Sequence, residues 1–170
     1  MIKIAAFFLS FLLVATPVLA ATEPVLEGTF DGWKVYSFNE ESGGKVCFMS
    51  EAPEKQEGDF KKRGDVRFFV TRWESQDGKD VVSMSAGYPF ADKATVKVKA
   101  NGKTFELFTM GEMAWARDEA TDKAITESLR KGKDLVIEAA SKRGTKTKDT
   151  YSLKGSGTAH NALKKICASK

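Results

Sequence analysis

The sequence predicts a mainly β protein, and three observations carry that prediction. Apolar and polar residues alternate at a period of two through most of the chain, turn residues separate the alternating runs, and only two stretches switch to helical spacing. Strands are expected over 33–38, 45–50, 66–73, 81–87, 95–100, 103–108, 135–140 and 150–153. The strongest local signal is Asn101-Gly102 between two of these runs, because that dipeptide accepts the positive φ angles of a type I′ hairpin turn. In that hairpin Val96 and Val98 are expected to face inward, and Lys97 and Lys99 outward. Residues 52–64, with Pro53, Gly58 and the charges Glu54, Lys55, Glu57, Asp59, Lys61 and Lys62, read as a solvated loop.

The first helix is expected to begin near Asp118 or Thr121, to bury Ala124, Ile125 and Leu129, and to end at Gly132 in the left-handed C′ position. The second should follow Ser156-Gly157-Thr158 and bury a stripe of Ala159, Ala162, Leu163, Ile166 and Cys167. Short strands with regularly spaced turns suggest an immunoglobulin-like β-sandwich with two short helices closing an edge or end. A closed β-barrel is the alternative, since strand number does not separate the two.

With 170 residues, 42% hydrophobic and 29% charged, the chain suits one domain: too apolar for disorder, too polar for a bundle of membrane helices. Residues 1–20 read as a signal peptide, with Lys3, an apolar run over 4–14, and Val18-Leu19-Ala20 before a cleavage site. Ser10 and Thr16-Pro17 interrupt the run, which falls short of the roughly 20 apolar residues of a spanning helix. Residues 21–170 are then expected to form a single exported domain without a transmembrane span, located in the periplasm, on the outer envelope or outside the cell. Nucleic acid is not expected as a partner there, and no oligomeric state is specified.

Cys47 and Cys167 are the only cysteines, and in an oxidising compartment they read as a structural disulfide. The competing reading is a reactive Cys167 activated by His160 on the same helical face. One His and two Cys leave too few ligands for most zinc sites and make Ser–His or Cys–His catalysis hard to assemble, so neither metal nor cofactor is expected. The run Ser152-Leu153-Lys154-Gly155-Ser156-Gly157-Thr158 passes from strand to helix, as a phosphate cradle does. His160 stands where a dinucleotide fingerprint has its third glycine, and no βαβ unit surrounds it, so a tight turn with a Ser or Thr N-cap is the better reading. Gly144 and Gly155 are expected to serve backbone geometry rather than ligand contact.

Glu112, Asp118, Glu119 and Asp122 cluster around Trp115 and could supply the paired carboxylates of a hydrolase. Acidic residues also favour the first turn of a helix, which accounts for the same cluster without catalysis. Charge is uneven: residues 130–170 carry a net +8 and residues 21–129 a net −5. Within the basic end Arg143, Lys146 and Lys148 are candidate contacts to an anionic envelope component, such as lipid head groups, lipopolysaccharide or a wall polymer. Surface solvation, with Lys164, Lys165 and Lys170 complementing a helix end, is the plainer explanation of the same charges.

Trp33, Cys47, Ala114-Trp115-Ala116-x-Asp118, the stretch Ser141-x-Arg143-Gly144-Thr145-x-Thr147-x-Asp149-Thr150-Tyr151-Ser152-Leu153-x-Gly155, and the end from Ala162 to Cys167 form one pattern. It resembles the invasion-associated locus B family of bacterial exported proteins. The resemblance covers most of the chain after residue 20 and implies an immunoglobulin-like sandwich of the periplasm or outer envelope, with no established catalytic site to transfer. Some members carry further cysteines, so here Cys47 with Cys167 is the one intramolecular bridge the resemblance permits. The family name implies no role in invasion for this chain. The leading expectation is a non-enzymatic periplasmic or envelope-associated binding protein; the alternative is an envelope hydrolase using the carboxylates near Trp115.

Overall fold

The computed structural model describes residues 23–41, 43–76 and 78–168. The expected signal peptide, and Lys170 of the basic end, lie outside them. Strands run in chain order as β1 Val25–Phe30, β2 Trp33–Asn39, β3 Lys45–Glu51, β4 Lys55–Gly58, β5 Arg67–Trp73, β6 Asp80–Ser85, β7 Thr95–Ala100, β8 Lys103–Met110 and β9 Met113–Trp115. Helix α1 (Glu119–Leu129) follows, then β10 (Asp134–Ala140), β11 (Lys146–Ser152) and helix α2 (Ser156–Ile166). No described helix is long and apolar enough to cross a membrane.

The strands form one antiparallel sheet of eleven in the order β1-β2-β3-β5-β6-β9-β8-β7-β10-β11-β4. The described residues are therefore mainly β with two α-helices, as the alternation predicts. Hydrogen bonding does not divide the strands into two sheets, as an immunoglobulin-like sandwich requires, and β1 and β4 end the order rather than closing a barrel. The sheet curls instead. Phe68 of β5 meets Tyr151 of β11 edge-on with ring centroids 6.2 Å apart, and Trp33 of β2 donates its indole N–H to the Ser152 carbonyl of β11 at 3.0 Å. Strands far apart in the hydrogen-bonding order thus face each other across one core, to which Val35, Met49, Val82, Val98, Leu107 and Ile137 contribute their alternate residues.

Three strands escape the periodicity. β9 has three residues, too few to show a period. β1 and β4 are edge strands: Val25 and Leu26 remain mostly exposed, and β4 is built from Lys55, Gln56, Glu57 and Gly58. An edge strand buries little and is protected by charge, so its pattern looks like a loop. The expectation of a solvated loop over 52–64 is corrected on this point, because Lys55–Gly58 pairs with Lys146–Ser152.

The Asn101-Gly102 hairpin forms with φ of 48° and 73°, and Val96 and Val98 face the core. Asp118 caps α1, its carboxylate accepting the Thr121 backbone N–H at 2.8 Å. Gly132 is not left-handed as expected. Its Cβ would come within 2.9 Å of a Leu153 methyl, so close approach is what it permits. α2 begins at Gly155, with φ of 80°, and not at a Ser or Thr cap. The Ser156 hydroxyl instead donates to the carbonyls of Leu129 and Leu153, tying α2 to the end of α1. Cys47 of β3 and Cys167 just past α2 are disulfide-bonded, with Cα atoms 5.8 Å apart. The reading of a reactive Cys167 paired with His160 is thereby overturned; His160 turns to Asp80, 2.8 Å away.

Candidate functional site

Strand β11 alternates strictly: Thr147, Asp149 and Tyr151 are buried, while Lys146 and Lys148 face solvent. A buried carboxylate needs a partner, and Asp149 has one from an unexpected place. Arg63, in the stretch predicted to be a solvated loop, donates from both terminal nitrogens to the two Asp149 oxygens, at 2.6 and 2.8 Å. The two side chains are 3% and 1% exposed, so this is a desolvated, bidentate pair. Arg63 also donates to the Ala86 carbonyl from Nε and Nη2, and its guanidinium lies 5.1 Å from the ring centroids of both Phe60 and Tyr88. Tyr88 is fixed in turn by a 2.6 Å hydrogen bond to the Thr147 hydroxyl.

This cluster is the floor of a cleft of about 710 Å³. Its first wall is the 59–63 segment, held by the Arg63 contacts and by the Gly64 N–H donating to the Gly87 carbonyl at 2.9 Å. The opposite wall is the turn between β10 and β11. Lys142 N–H donates to the Pro89 carbonyl and Gly144 N–H to the Ser141 carbonyl, with Gly144 at φ of 84°, and this aims Lys142 and Arg143 along the rim. Lys61 and Lys62 line the other side, opposed only by Asp59 and Glu112 once the Arg63–Asp149 pair is set aside. The cleft is thus an aromatic and apolar floor under a basic rim, able to take an anionic ligand with a non-polar or sugar-like body.

The candidates read from sequence divide here. Arg143 lines the cleft, but Lys146 and Lys148 lie on the other face of β11. There Lys148 joins a cross-strand row of alternating charge, in which Glu106 stands opposite Lys97, Lys97 opposite Glu138, Glu138 opposite Lys148 and Lys148 opposite Glu57. Lys148 is 3.5 Å from Glu57. The structure therefore does not bring the three basic candidates together.

The carboxylates near Trp115 have occupations of their own. Asp118 caps α1, and the backbone hydrogen bond from Thr121 holds its carboxyl below the usual range. Asp122 is buried and accepts the Val82 N–H at 2.7 Å; burial pushes its pKa up despite that bond. Glu119 pairs with Lys79 at 3.0 Å, and Glu112 lines the cleft. Trp115 stacks on Phe108 on the outer face of the sheet. Tyr151 is buried two residues from Asp149, its hydroxyl without a hydrogen-bond partner among the described residues and pushed by burial well above the ordinary phenol range, so it is neutral. Among the described residues no group of three or more His, Cys, Asp or Glu is placed to hold a metal.

Phe60, Arg63 and Tyr88 are the residues that sequence reasoning missed. The available signal was Asp149, an acid at an inward position of a strand, which demanded a cation without saying which.

A family model described as "Invasion associated locus B (IalB) protein" matches residues 33–164. The crystal structure of invasion associated protein b from Bartonella henselae is similar at a TM-score of 0.57, with 21% identity over 86% of this chain and 98% of that one. At that identity the likeness is one of fold. No curated protein matches the chain.

Proposed function

Since the chain belongs to the invasion-associated locus B family, we propose that it is an exported, non-enzymatic binding protein of the periplasm or outer envelope whose basic cleft takes an anionic envelope component. One observation carries this reading: Lys61, Lys62, Lys142 and Arg143 converge on a 710 Å³ cleft whose floor is fixed by a buried ion pair. Such a floor holds the rim in place before a ligand arrives, which lowers the cost of binding. The hydrolase alternative finds less support, because Asp118, Asp122 and Glu119 are each engaged in capping, backbone or ion-pair contacts.

The test is co-sedimentation of the protein lacking residues 1–20 with isolated envelope and with anionic vesicles, at low and physiological salt. Replacing Lys61, Lys62, Lys142 and Arg143 with Gln should abolish low-salt sedimentation, and replacing Lys146 and Lys148 should leave it intact. Wild-type binding should also weaken as the screening length shrinks to about 8 Å. Equal loss in both variants would reduce the effect to overall charge and defeat the cleft assignment.

A further inference from the structure

The outer surface of the sheet has two halves of different character, and the boundary runs through β8, between Glu106 and Phe108. From Glu106 across β7, β10, β11 and β4 the outward residues form the row of alternating charge. The strands of the other half, β2, β3, β5, β6 and β9, carry apolar residues on both faces. β3 contains the run Val46-Cys47-Phe48-Met49 and β5 the run Phe68-Phe69-Val70, yet only Cys47, Met49, Phe68 and Val70 of these belong to the inner core. An antiparallel strand with one face in water alternates apolar with polar residues, whereas a strand covered on both faces reads as a continuous apolar run. The sequence of this half is therefore that of a sheet with a cover on its outer side.

Neither helix supplies that cover, because Ile125 and Leu129 of α1 and Ala159 and Leu163 of α2 join the inner core. What lies outside is a layer of aromatic rings. Tyr36 and Phe48, opposite each other on β2 and β3, stack with centroids 5.0 Å apart and 17° between their planes. Phe38 and Phe69 meet Phe48 edge-on, and Phe108 stacks on Trp115 with centroids 5.7 Å apart. The layer is dense enough that Val46, outside the inner core, is only 2% exposed. At its margins Met110 is 68% exposed, and Leu26, opposite Tyr36, is 52% exposed. Among the described residues the charged members of these outward rows are Lys34 and Arg67, and Arg67 is paired with Asp65 at 2.9 Å.

We propose that this face is the interface of a two-fold dimer, its occupant a second copy of the chain packed sheet against sheet. Charge favours that occupant. With Arg67 paired, Lys34 is too little to hold the face on an anionic membrane, while a nearly neutral face set against itself brings no row of like charges together. Ring geometry points the same way: the rings spend their faces on one another, and a sugar would need open ring faces to stack upon. The extent is sufficient. Seven strands from β1 to β8, about 4.8 Å apart, and four outward rows give a face of about 29 by 20 Å before side-chain relief is counted, near the roughly 800 Å² that each partner gives to a standard interface. Its make-up, aromatic and Met-rich with charge depleted, is that of an interface core. The face shares no residue with the basic cleft, so the proposal is independent of the binding role.

Sedimentation velocity and light scattering of the protein lacking residues 1–20, across a range of concentrations, test it. The mass of a dimer is expected at high concentration, with dissociation on dilution. Phe48→Glu with Phe108→Glu brings like charges into the interface from both copies and should raise the dimer Kd by about a hundredfold or more. Both positions lie outside the inner core, and thermal melts would verify that the variant folds. Leu26→Glu with Met110→Glu, at the exposed margins, should weaken the dimer by about tenfold and serves if the first variant unfolds. Lys97→Gln with Lys148→Gln, on the charged half, should leave the mass unchanged. A monomer at every concentration, or a dimer indifferent to both face variants, would overturn the proposal. So would a wild-type monomer that floats with phosphatidylcholine vesicles or pellets with insoluble envelope glycan and loses that binding in the face variants, since the face would then belong to lipid or sugar.

Discussion

Lys148 and Asp149 are neighbours in β11, yet they occupy opposite electrostatic worlds. On the outer face Lys148 sits in a row of alternating charges, half exposed, 3.5 Å from Glu57. On the inner face Asp149 is 1% exposed and locked to Arg63 by two hydrogen bonds of 2.6 and 2.8 Å. Solvent screens the first arrangement, so any one member is replaceable. Burial makes the second indispensable in pieces, because removing one partner strands the other's charge without water. The same basic stretch that looks like one electropositive surface in sequence is two surfaces with different duties.

The largest effect we expect comes from breaking the inner pair. Asp149→Ala should destabilise the fold by about 3–5 kcal/mol in urea unfolding. Replacing both partners, Arg63→Met with Asp149→Leu, should recover a good part of that loss. If the double change were as harmful as the sum of the single ones, the cost would lie in packing around Phe60 and Tyr88, and the contrast with Lys148 would not be electrostatic.

A second buried carboxylate sharpens the comparison through pH. Asp80 titrates below its ordinary value of 3.8, so it contributes stability fully above that pH and loses it as pH falls further. Asp80→Asn should therefore lower stability at neutral pH and flatten the acid limb of the stability profile, read from thermal melts between pH 6 and 2. An unchanged acid limb would mean that Asp80 is not held ionised by His160 and Arg72.

Smaller still is Tyr151→Phe. It removes a buried hydroxyl that has no partner, and a change within about 1 kcal/mol in either direction is expected, despite full burial two residues from Asp149. A loss comparable to that of Asp149→Ala would show that the hydroxyl belongs to the ion-pair network. The smallest effect should be that of Lys148→Gln, with a melting temperature indistinguishable from wild type; a marked drop would make the outer row cooperative and erase the difference between the two faces.

Much of the chain follows from local chemistry. Alternation placed the core of β2, β3, β5, β6, β7, β8 and β10, since a strand has only two faces and its apolar residues must share one. Asn101-Gly102 set the β7–β8 turn, Asp118 set the start of α1, and the helical stripe ending at Cys167 aimed that residue at the core, where Cys47 waits. The short or edge strands β9, β1 and β4 left no such trace, having too few buried residues to impose a pattern.

What tertiary structure alone decided is which distant residues meet. Strand order across eleven strands, and the curl that brings β5 against β11, depend on all pairings at once, and an immunoglobulin-like reading from strand count could not supply them. Asp149 at an inward position required a cation, but Arg63 lies 86 residues earlier in a stretch that reads as solvated. The same holds for the cleft, whose rim takes Lys61 and Lys62 from the segment after β4 and Lys142 and Arg143 from the turn between β10 and β11, far apart in the chain and side by side in the sheet order. Periodicity and turn chemistry act over a few residues and are written in the sequence; the partner of a buried charge is chosen by the register and curvature of the whole sheet.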